Sequence, residues 1–237
     1  MKKFSIIFLS ALALISLNSC RKIVGEGPVV TESRNTSDFT GIHYSVPGQL
    51  VYEPGDVFSI KIDAQQNILN VIETYVSNHE LRIKVRDNTI IRSGEDIRVT
   101  VTAPPVTALE VSGSGTIHVL QHYAPESVKL QVSGSGKILL NSLETGHVKT
   151  KISGSGQVQA LNGSATHEDI SISGSGQLDF LNVMAIKAVT HTSGSGTIKL
   201  GVSDELDTHI SGSGTVYYKG EPIITSSISG SGRLVKL

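Results

Sequence analysis

The tetrapeptide Ser-Gly-Ser-Gly occurs seven times in the second half of the chain, at intervals of 21, 20, 20, 20, 18 and 18 residues. The copies begin at Ser112, Ser133, Ser153, Ser173, Ser193, Ser211 and Ser229. A flexible Gly/Ser linker keeps no such period, so each interval must be a structural unit. One unit of this length cannot bury an apolar face alone, so neighbouring units must stack. The repeat therefore predicts a solenoid over residues 108–237.

Apolar residues flank the tetrads in register. The residue just before each tetrad is, in order, Val111, Val132, Ile152, Ile172, Thr192, Ile210 and Ile228. The second residue after each tetrad is Ile117, Ile138, Val158, Leu178, Ile198, Val216 and Leu234. Polar residues such as Thr116 and Lys137 lie between, which gives the period-two pattern of β-strands on either side of a glycine-rich segment.

A coil of about 20 residues has room for three short strands and their turns, with neighbouring coils about 4.8 Å apart. We therefore expect an all-β parallel solenoid whose Val and Ile columns fill the interior and whose serines form ladders. Leucine-rich repeats need leucines at fixed offsets that are missing here, and a propeller blade needs about twice the length. A collagen-like fold fails because Gly is not every third residue.

The N-terminus has the form of an export signal. Lys2 and Lys3 precede an apolar run that ends in Leu17-Asn18-Ser19-Cys20, and Cys20 is the only cysteine of the chain. The run is short for a membrane span and typical of a signal peptide. The last four residues look like a bacterial lipobox. We therefore predict a lipoprotein signal peptide over 1–19, and membrane attachment through a lipidated Cys20; the alternative is an ordinary secretory signal.

Between the signal and the repeats, two segments differ in character. Residues 20–36 are polar, carry no period and are interpreted as the lipidated cysteine and a tether. Residues 37–107 are rich in strand patterns, with a short helix predicted near Asn67–Tyr75 and turns at Pro47-Gly48 and Pro54-Gly55. This part is predicted to form either irregular first coils of the solenoid or a cap over its apolar end.

Charge argues against nucleic acid as a partner. Removing Lys2 and Lys3 with the signal leaves 18 basic against 21 acidic residues, a net charge of −3. Aromatic residues make up 5 % of the chain and form no stacking surface. Both features are opposite to those of a nucleic-acid-binding protein.

The strand-rich segment from Phe39 to Val85, followed by repeated Val/Ile-Ser-Gly-Ser-Gly units, resembles the putative auto-transporter adhesin head GIN-domain family. The resemblance covers about Thr36 to Leu237. It implies a right-handed parallel β-helix-like fold in envelope lipoproteins. It implies no catalytic residues, cofactor or metal.

Carboxylates are the residues that a polysaccharide-active β-helix enzyme would need on adjacent coils. The column two places before each tetrad reads Glu110, Gln131, Lys151, Ser171, His191, His209 and Ser227, with no such pair. The local pair Glu168-Asp169 is interpreted as solvated charge in a variable loop. No catalytic site is therefore predicted, and a polysaccharide-active enzyme is the least favoured function.

His191 and His209 occupy equivalent positions on successive coils, so their rings should lie about 5 Å apart. Two imidazoles at that spacing can share a metal ion, but no third ligand is evident. They are therefore weak metal candidates only. Tyr217 and Tyr218 should point to opposite faces of their strand.

We predict a non-enzymatic, adhesin-like envelope lipoprotein that presents a solenoid surface to a glycan or protein ligand. The alternative is a structural or accessory periplasmic lipoprotein without an extracellular ligand. The expected location is the outer membrane, facing the periplasm or the cell surface. Arg21 and Lys22 follow the cysteine where some surface-exported lipoproteins have acidic residues, which favours the periplasmic side.

The last coil is predicted to have an uncovered end. Only five residues follow the seventh tetrad in the sequence. Ile228, Leu234 and Leu237 should then be partly exposed beside unpaired strand edges. Weak self-association or partner binding through this end is therefore expected.

Overall fold

The computed structural model describes residues 21–92 and 97–237 of the chain. The predicted signal peptide, Cys20 and its lipobox lie outside the described residues, as does Asp96 at the start of a predicted strand. Within residues 21–92 and 97–237, no helix is both long and apolar enough to cross a membrane.

The N-terminal part holds nine strands and one short helix among the described residues. In chain order they are β1 (Arg21–Ile23), β2 (Val29–Arg34), β3 (Gly41–Ser45), β4 (Gln49–Pro54), β5 (Ser59–Gln65), α1 (Gln66–Leu69), β6 (Ile72–Ser77), β7 (Glu80–Val85), β8 (Thr89–Ile91) and β9 (Arg98–Ala103).

The repeat part continues with β10 to β20, and its longest strands pass around a corner of the solenoid. In chain order they are β10 (Ala108–Gly113), β11 (Thr116–Tyr123), β12 (Ser127–Gly134), β13 (Lys137–Gly154), β14 (Gln157–Ala160), β15 (Gly163–Gly174), β16 (Gln177–Gly194), β17 (Thr197–Gly212), β18 (Thr215–Lys219), β19 (Ile223–Gly230) and β20 (Arg233–Lys236).

Successive coils pair in parallel with matching residues opposite each other. The serines that open the seven tetrads form one continuous column from Ser112 to Ser229. We call the surface formed by the segments that lead into the tetrads the tetrad face, and the surface formed by the segments that follow them the second face. The prediction of an all-β solenoid with coils of about 20 residues is confirmed.

Both glycines of the tetrad are required at the corner between these faces. The first has a φ between +90° and +115° in all seven copies, a region that favours glycine. A Cβ on Gly174 would lie 2.7 Å from the carbonyl oxygen of Gly154. A Cβ on Gly176, the second glycine, would collide with Cγ2 of Ile152. Stacked coils therefore approach too closely at this corner for any side chain.

The interior columns are those that the flanking pattern predicts. Ile152, Ile172 and Ile210 are at most 2 % exposed, and so are Ile138, Val158 and Leu178 on the second face. Thr190 and Thr208 stack within the core and share a hydrogen bond of 2.5 Å between their hydroxyls. The core is thus a stack of aliphatic columns with a few polar positions, of which this threonine pair is hydrogen-bonded within the core.

The N-terminal part is both a set of coils and a cap. β3 and β4 pair in parallel with β10 and β11, so they form a coil in register with the repeats. β7 and β9 add a further parallel layer on the other side of β3 and β4. Beyond that layer the strands run antiparallel, β6 on β7 and β5 on β9, with β2 on β5. The antiparallel strands cover the apolar end of the solenoid.

Two N-terminal assignments from the sequence differ from the structure. The segment 20–36, interpreted as a tether, contains β1, which pairs with β8, and β2, which pairs with β5. The unpaired edge of β5 recruits β2 because an open edge leaves backbone groups unsatisfied. The helix predicted near Asn67–Tyr75 ends at Leu69, since the following residues pair with β7 as a strand. Apolar spacing alone does not separate a buried helix from a strand over so short a run.

The C-terminal end of the solenoid is uncovered in the described residues. Ile228 is 43 % exposed, Leu237 is 60 % exposed and Leu234 is half-buried. The expected exposure of these three residues is confirmed. Self-association through this end stays a prediction.

Candidate functional site

A row of polar side chains runs along the tetrad face, two residues before each tetrad. The strand register stacks these residues in the predicted order, Glu110, Gln131, Lys151, Ser171, His191, His209 and Ser227. Beside this row runs the column of tetrad serines. Both columns point outward because they alternate with the buried residue between them.

A shallow groove of about 410 Å³ follows these two columns over the C-terminal coils. We call it the tetrad-face groove. Its polar lining consists of Lys151, Ser171, Ser173, His191, Ser193, His209, Ser211, Ser227 and Ser229. Ile152, Ile172, Thr192 and Ile210 line it between the two columns. The groove thus offers one serine hydroxyl per coil in one column and a mixture of lysine, serine and histidine side chains in the other.

His191 and His209 form a stacked pair of imidazole rings in this groove. Their ring centroids lie 4.9 Å apart with an angle of 6° between the planes, which confirms the spacing expected from the sequence. Nε2 of His209 lies 3.2 Å from Oδ1 of Asp207. Parallel rings direct their nitrogens side by side rather than toward one point, so the pair is better suited to polar contacts with a ligand than to holding a metal ion.

A second histidine pair lies on the same face, outside the groove. The rings of His147 and His167 stack at 5.0 Å with an angle of 13°. Sequence reasoning missed this pair, although both residues stand six places before a tetrad. Comparing residues at equal distances from successive tetrads, which predicts the contact of His191 with His209, also predicts this pair.

The sequence-based interpretation of Glu168 is wrong. The residue lies in β15 and is 0 % exposed, between Val148 and Ala188 in an inward column. Neither carboxyl oxygen has a hydrogen-bond partner among the described residues. Burial raises the pKa of Glu168 well above its ordinary value. Its neighbour Asp169 points outward and pairs with Lys149 at 3.0 Å, so only one of the two acids is solvated.

The two adjacent tyrosines take different roles. Tyr218 packs against the core. Tyr217 lines a second shallow groove, on the second face, with Lys199 and Leu237. The prediction that their side chains diverge agrees with this placement.

The fold and its rows of stacked side chains define the class of a β-solenoid that presents a long, repetitive surface. The family described as "Putative auto-transporter adhesin, head GIN domain" matches residues 38–222. The chain belongs to this family. Membership in an adhesin-like family indicates a protein of the cell envelope or cell surface.

Solved structures share the fold. A putative adhesin from Bacteroides fragilis superposes with a TM-score of 0.84 at 21 % identity, covering 91 % of this chain and all of that one. A putative adhesin from Parabacteroides distasonis gives 0.76 at 19 % identity, over 91 % and 100 % of the two chains. A protein of the same organism, described as a putative lipid binding protein, gives 0.75 at 22 % identity, over 92 % and 100 %. No curated protein matches the chain.

Proposed function

We propose that the protein is a non-enzymatic binding module of the cell envelope that holds an extended glycan in the tetrad-face groove. The observation that carries the proposal is the row of tetrad serine hydroxyls along the groove, one per coil from Ser173 to Ser229, beside a second row of polar side chains. A linear ligand whose own groups repeat can use every coil in turn. A compact small molecule would use only one.

The chemistry of the lining favours a glycan over a peptide. An extended peptide usually binds by adding a strand to an open sheet edge. Most of the groove lies on strands that already pair with both neighbours, and in the part of the chain that the structure describes only β19 at its end has an open edge. Recognition there depends on side chains. Serine hydroxyls, the ammonium of Lys151 and the ring nitrogens of His191 and His209 form hydrogen bonds to sugar hydroxyls.

Binding without catalysis fits the same lining. Glycoside hydrolysis requires a carboxylic acid and a second carboxylate flanking the scissile bond. None of the described residues that line the groove carries a carboxyl group. The family match supports the same view, because the family is described as an adhesin head domain.

The proposal is tested with the soluble chain without residues 1–20 on an array of linear and branched glycans. We expect binding to one class of linear glycan, weakened about tenfold or more in the double variant His191→Ala/His209→Ala. The matched control is His147→Ala/His167→Ala, which removes the other stacked pair and should leave binding unchanged.

Two results would overturn the glycan proposal. One is equal loss of binding in both double variants. The other is no binding to any glycan together with saturable binding to phospholipid vesicles, as the description of one structural relative as a putative lipid binding protein would suggest.

We further propose that the protein is an outer-membrane lipoprotein anchored through Cys20. Replacing Cys20 by Ala should move the protein from the membrane fraction to the soluble fraction. The reason is that acyl chains contribute about 0.8 kcal/mol per buried methylene, so a multiply acylated cysteine holds a soluble domain firmly. Fractionation of cells expressing each form measures the change. A Cys20→Ala protein that still sediments with membranes would contradict the anchor.

A further inference from the structure

Three potential metal ligands meet on the tetrad face where the cap joins the repeats. His43 lies on β3, Glu80 on β7 and Glu110 on β10, three strands that are neighbours in the sheet. One ligand atom from each residue lies within 4.8 Å of the other two. Their side chains are 18 %, 22 % and 20 % exposed, so the group is half-buried but open to water and ions.

The two carboxylates converge on the imidazole without bonding to it. Oε2 of Glu80 lies 3.8 Å from Nδ1 of His43, and Oε1 of Glu110 lies 3.9 Å from Nε2. Both separations exceed the length of a hydrogen bond. Ligands around a tetrahedral zinc ion with bonds of about 2.1 Å stand roughly 3.4 Å apart. The two carboxylates face different nitrogens of the ring, and an ion binds only one of them. One ligand atom from each residue already lies within 4.8 Å of the others, so a turn of the Glu110 side chain toward Nδ1 brings all three to the spacing of a metal site.

Neighbouring side chains orient the group. Oγ of Ser112 lies 2.9 Å from Nε2 of His43, a contact that fixes the ring and leaves Nδ1, on the side of Glu80, as the nitrogen that would bind an ion. The side-chain amide of Gln131 donates to Oε1 of Glu110 at 3.1 Å. Nη2 of Arg82 lies 2.6 Å from Oε2 of Glu80. Arg82 is 39 % exposed and can turn toward solvent, so it holds the carboxylate in place when no metal is bound.

We propose that His43, Glu80 and Glu110 bind a divalent transition-metal ion of the zinc class. One imidazole and two carboxylates match the borderline preference of such ions, and they leave a coordination position for water. Because the ligands come from three adjacent strands, the bound ion connects the layer of β7 to the first repeat. Its expected role is to fasten the N-terminal cap to the solenoid.

Titration of the soluble, chelator-treated chain with zinc chloride in a calorimeter tests the site. One equivalent should bind and raise the melting temperature. His43→Gln and Glu110→Gln should each weaken binding by about 100-fold or more, since each removes a ligand. The control variant His147→Gln/His167→Gln should leave the high-affinity equivalent unchanged. Circular dichroism checks that each variant is folded before titration.

The zinc affinity of an Arg82 variant is a second test, and a cluster that only stabilises the fold would not show the expected change. Arg82→Gln removes the cation that competes for Glu80, so zinc should bind about tenfold more tightly. The proposal is overturned if the wild-type chain has no saturable zinc site. It is equally overturned if His43→Gln binds zinc as tightly as the wild type, or if Arg82→Gln binds it less tightly.

Discussion

Ile172→Asp is expected to unfold the central coils. Ile172 is 2 % exposed, and its neighbours in the same inward column are Ile152 and Thr192. An aspartate there would place an unpaired charge among aliphatic side chains, at a cost of several kcal/mol, about 4 or more. Since each coil forms the template for the next, the loss should spread along the stack. Thermal unfolding followed by circular dichroism measures it.

Gln177→Asp is the matched control for this change. Gln177 opens the following strand and is exposed. The same carboxylate is solvated there, so the free energy of unfolding should change by less than about 0.5 kcal/mol. Equal melting temperatures for the two variants would contradict the assignment of inward and outward columns.

Glu168→Met is expected to stabilise the protein. The carboxyl group of Glu168 is fully buried without a partner among the described residues, and burial raises its pKa well above its ordinary value. At pH 7 the unfolded chain carries this group ionised, so folding must either protonate it or bury its charge, and both reduce stability, by about 1 kcal/mol or more. Methionine fills a similar volume without a polar group. The free energy of unfolding at pH 7 should rise by a comparable amount in a denaturant titration.

The same residue gives the wild type a characteristic dependence on pH. Because its pKa is raised in the folded state, folding takes up a proton. Its contribution to stability is therefore retained below the ordinary pKa of about 4.3 and is lost as the pH rises toward the folded-state value. Within that window the free energy of unfolding should fall by up to about 1.4 kcal/mol per pH unit relative to Glu168→Gln.

Glu205→Gln is the control for the pH series. Glu205 is 56 % exposed and pairs with Lys187 at 2.6 Å, so its removal should cost less than about 1 kcal/mol. If wild type and Glu168→Gln show parallel pH profiles, Glu168 is ionised in the folded protein, and its environment is more polar than its burial indicates.

The repeat part could be predicted from the sequence because residues at the same distance before a tetrad stack on each other in successive coils. The rule places Ile172 inside and stacks His191 on His209. The environment of Glu168 is mispredicted because the adjacent acids Glu168 and Asp169 resemble a loop. When the coils are aligned on their tetrads, His167 and Glu168 stand six and five places before the tetrad and lie on a strand.

The N-terminal part follows no such rule. Its chain leaves the solenoid after β4, builds the cap and returns at β10, so His43 becomes the neighbour of Glu110 across 67 residues of sequence. No local pattern encodes that contact. Strand β2 escapes prediction for a similar reason, since its pairing depends on an edge supplied by β5. Contacts between unlike segments are set by tertiary structure, and a periodic sequence gives no guide to them.

The interlocked glycine corner limits how the length of this protein can change. A Cβ on Gly194 would lie 2.6 Å from the carbonyl oxygen of Gly174, and one on Gly212 would lie 2.7 Å from that of Gly194. A gain or loss of one residue near this corner would shift every later column, whereas a whole duplicated coil would preserve them all. The two intervals of 18 residues mark where shortening is tolerated. The register shifts where an 18-residue coil meets a 20-residue coil lie away from the tetrads, between Phe180 and Met184 and between Ala185 and Lys187. A solenoid of this kind can therefore lengthen by duplication of entire coils, and single coils can shorten in the segment opposite the tetrads, where the register shifts lie.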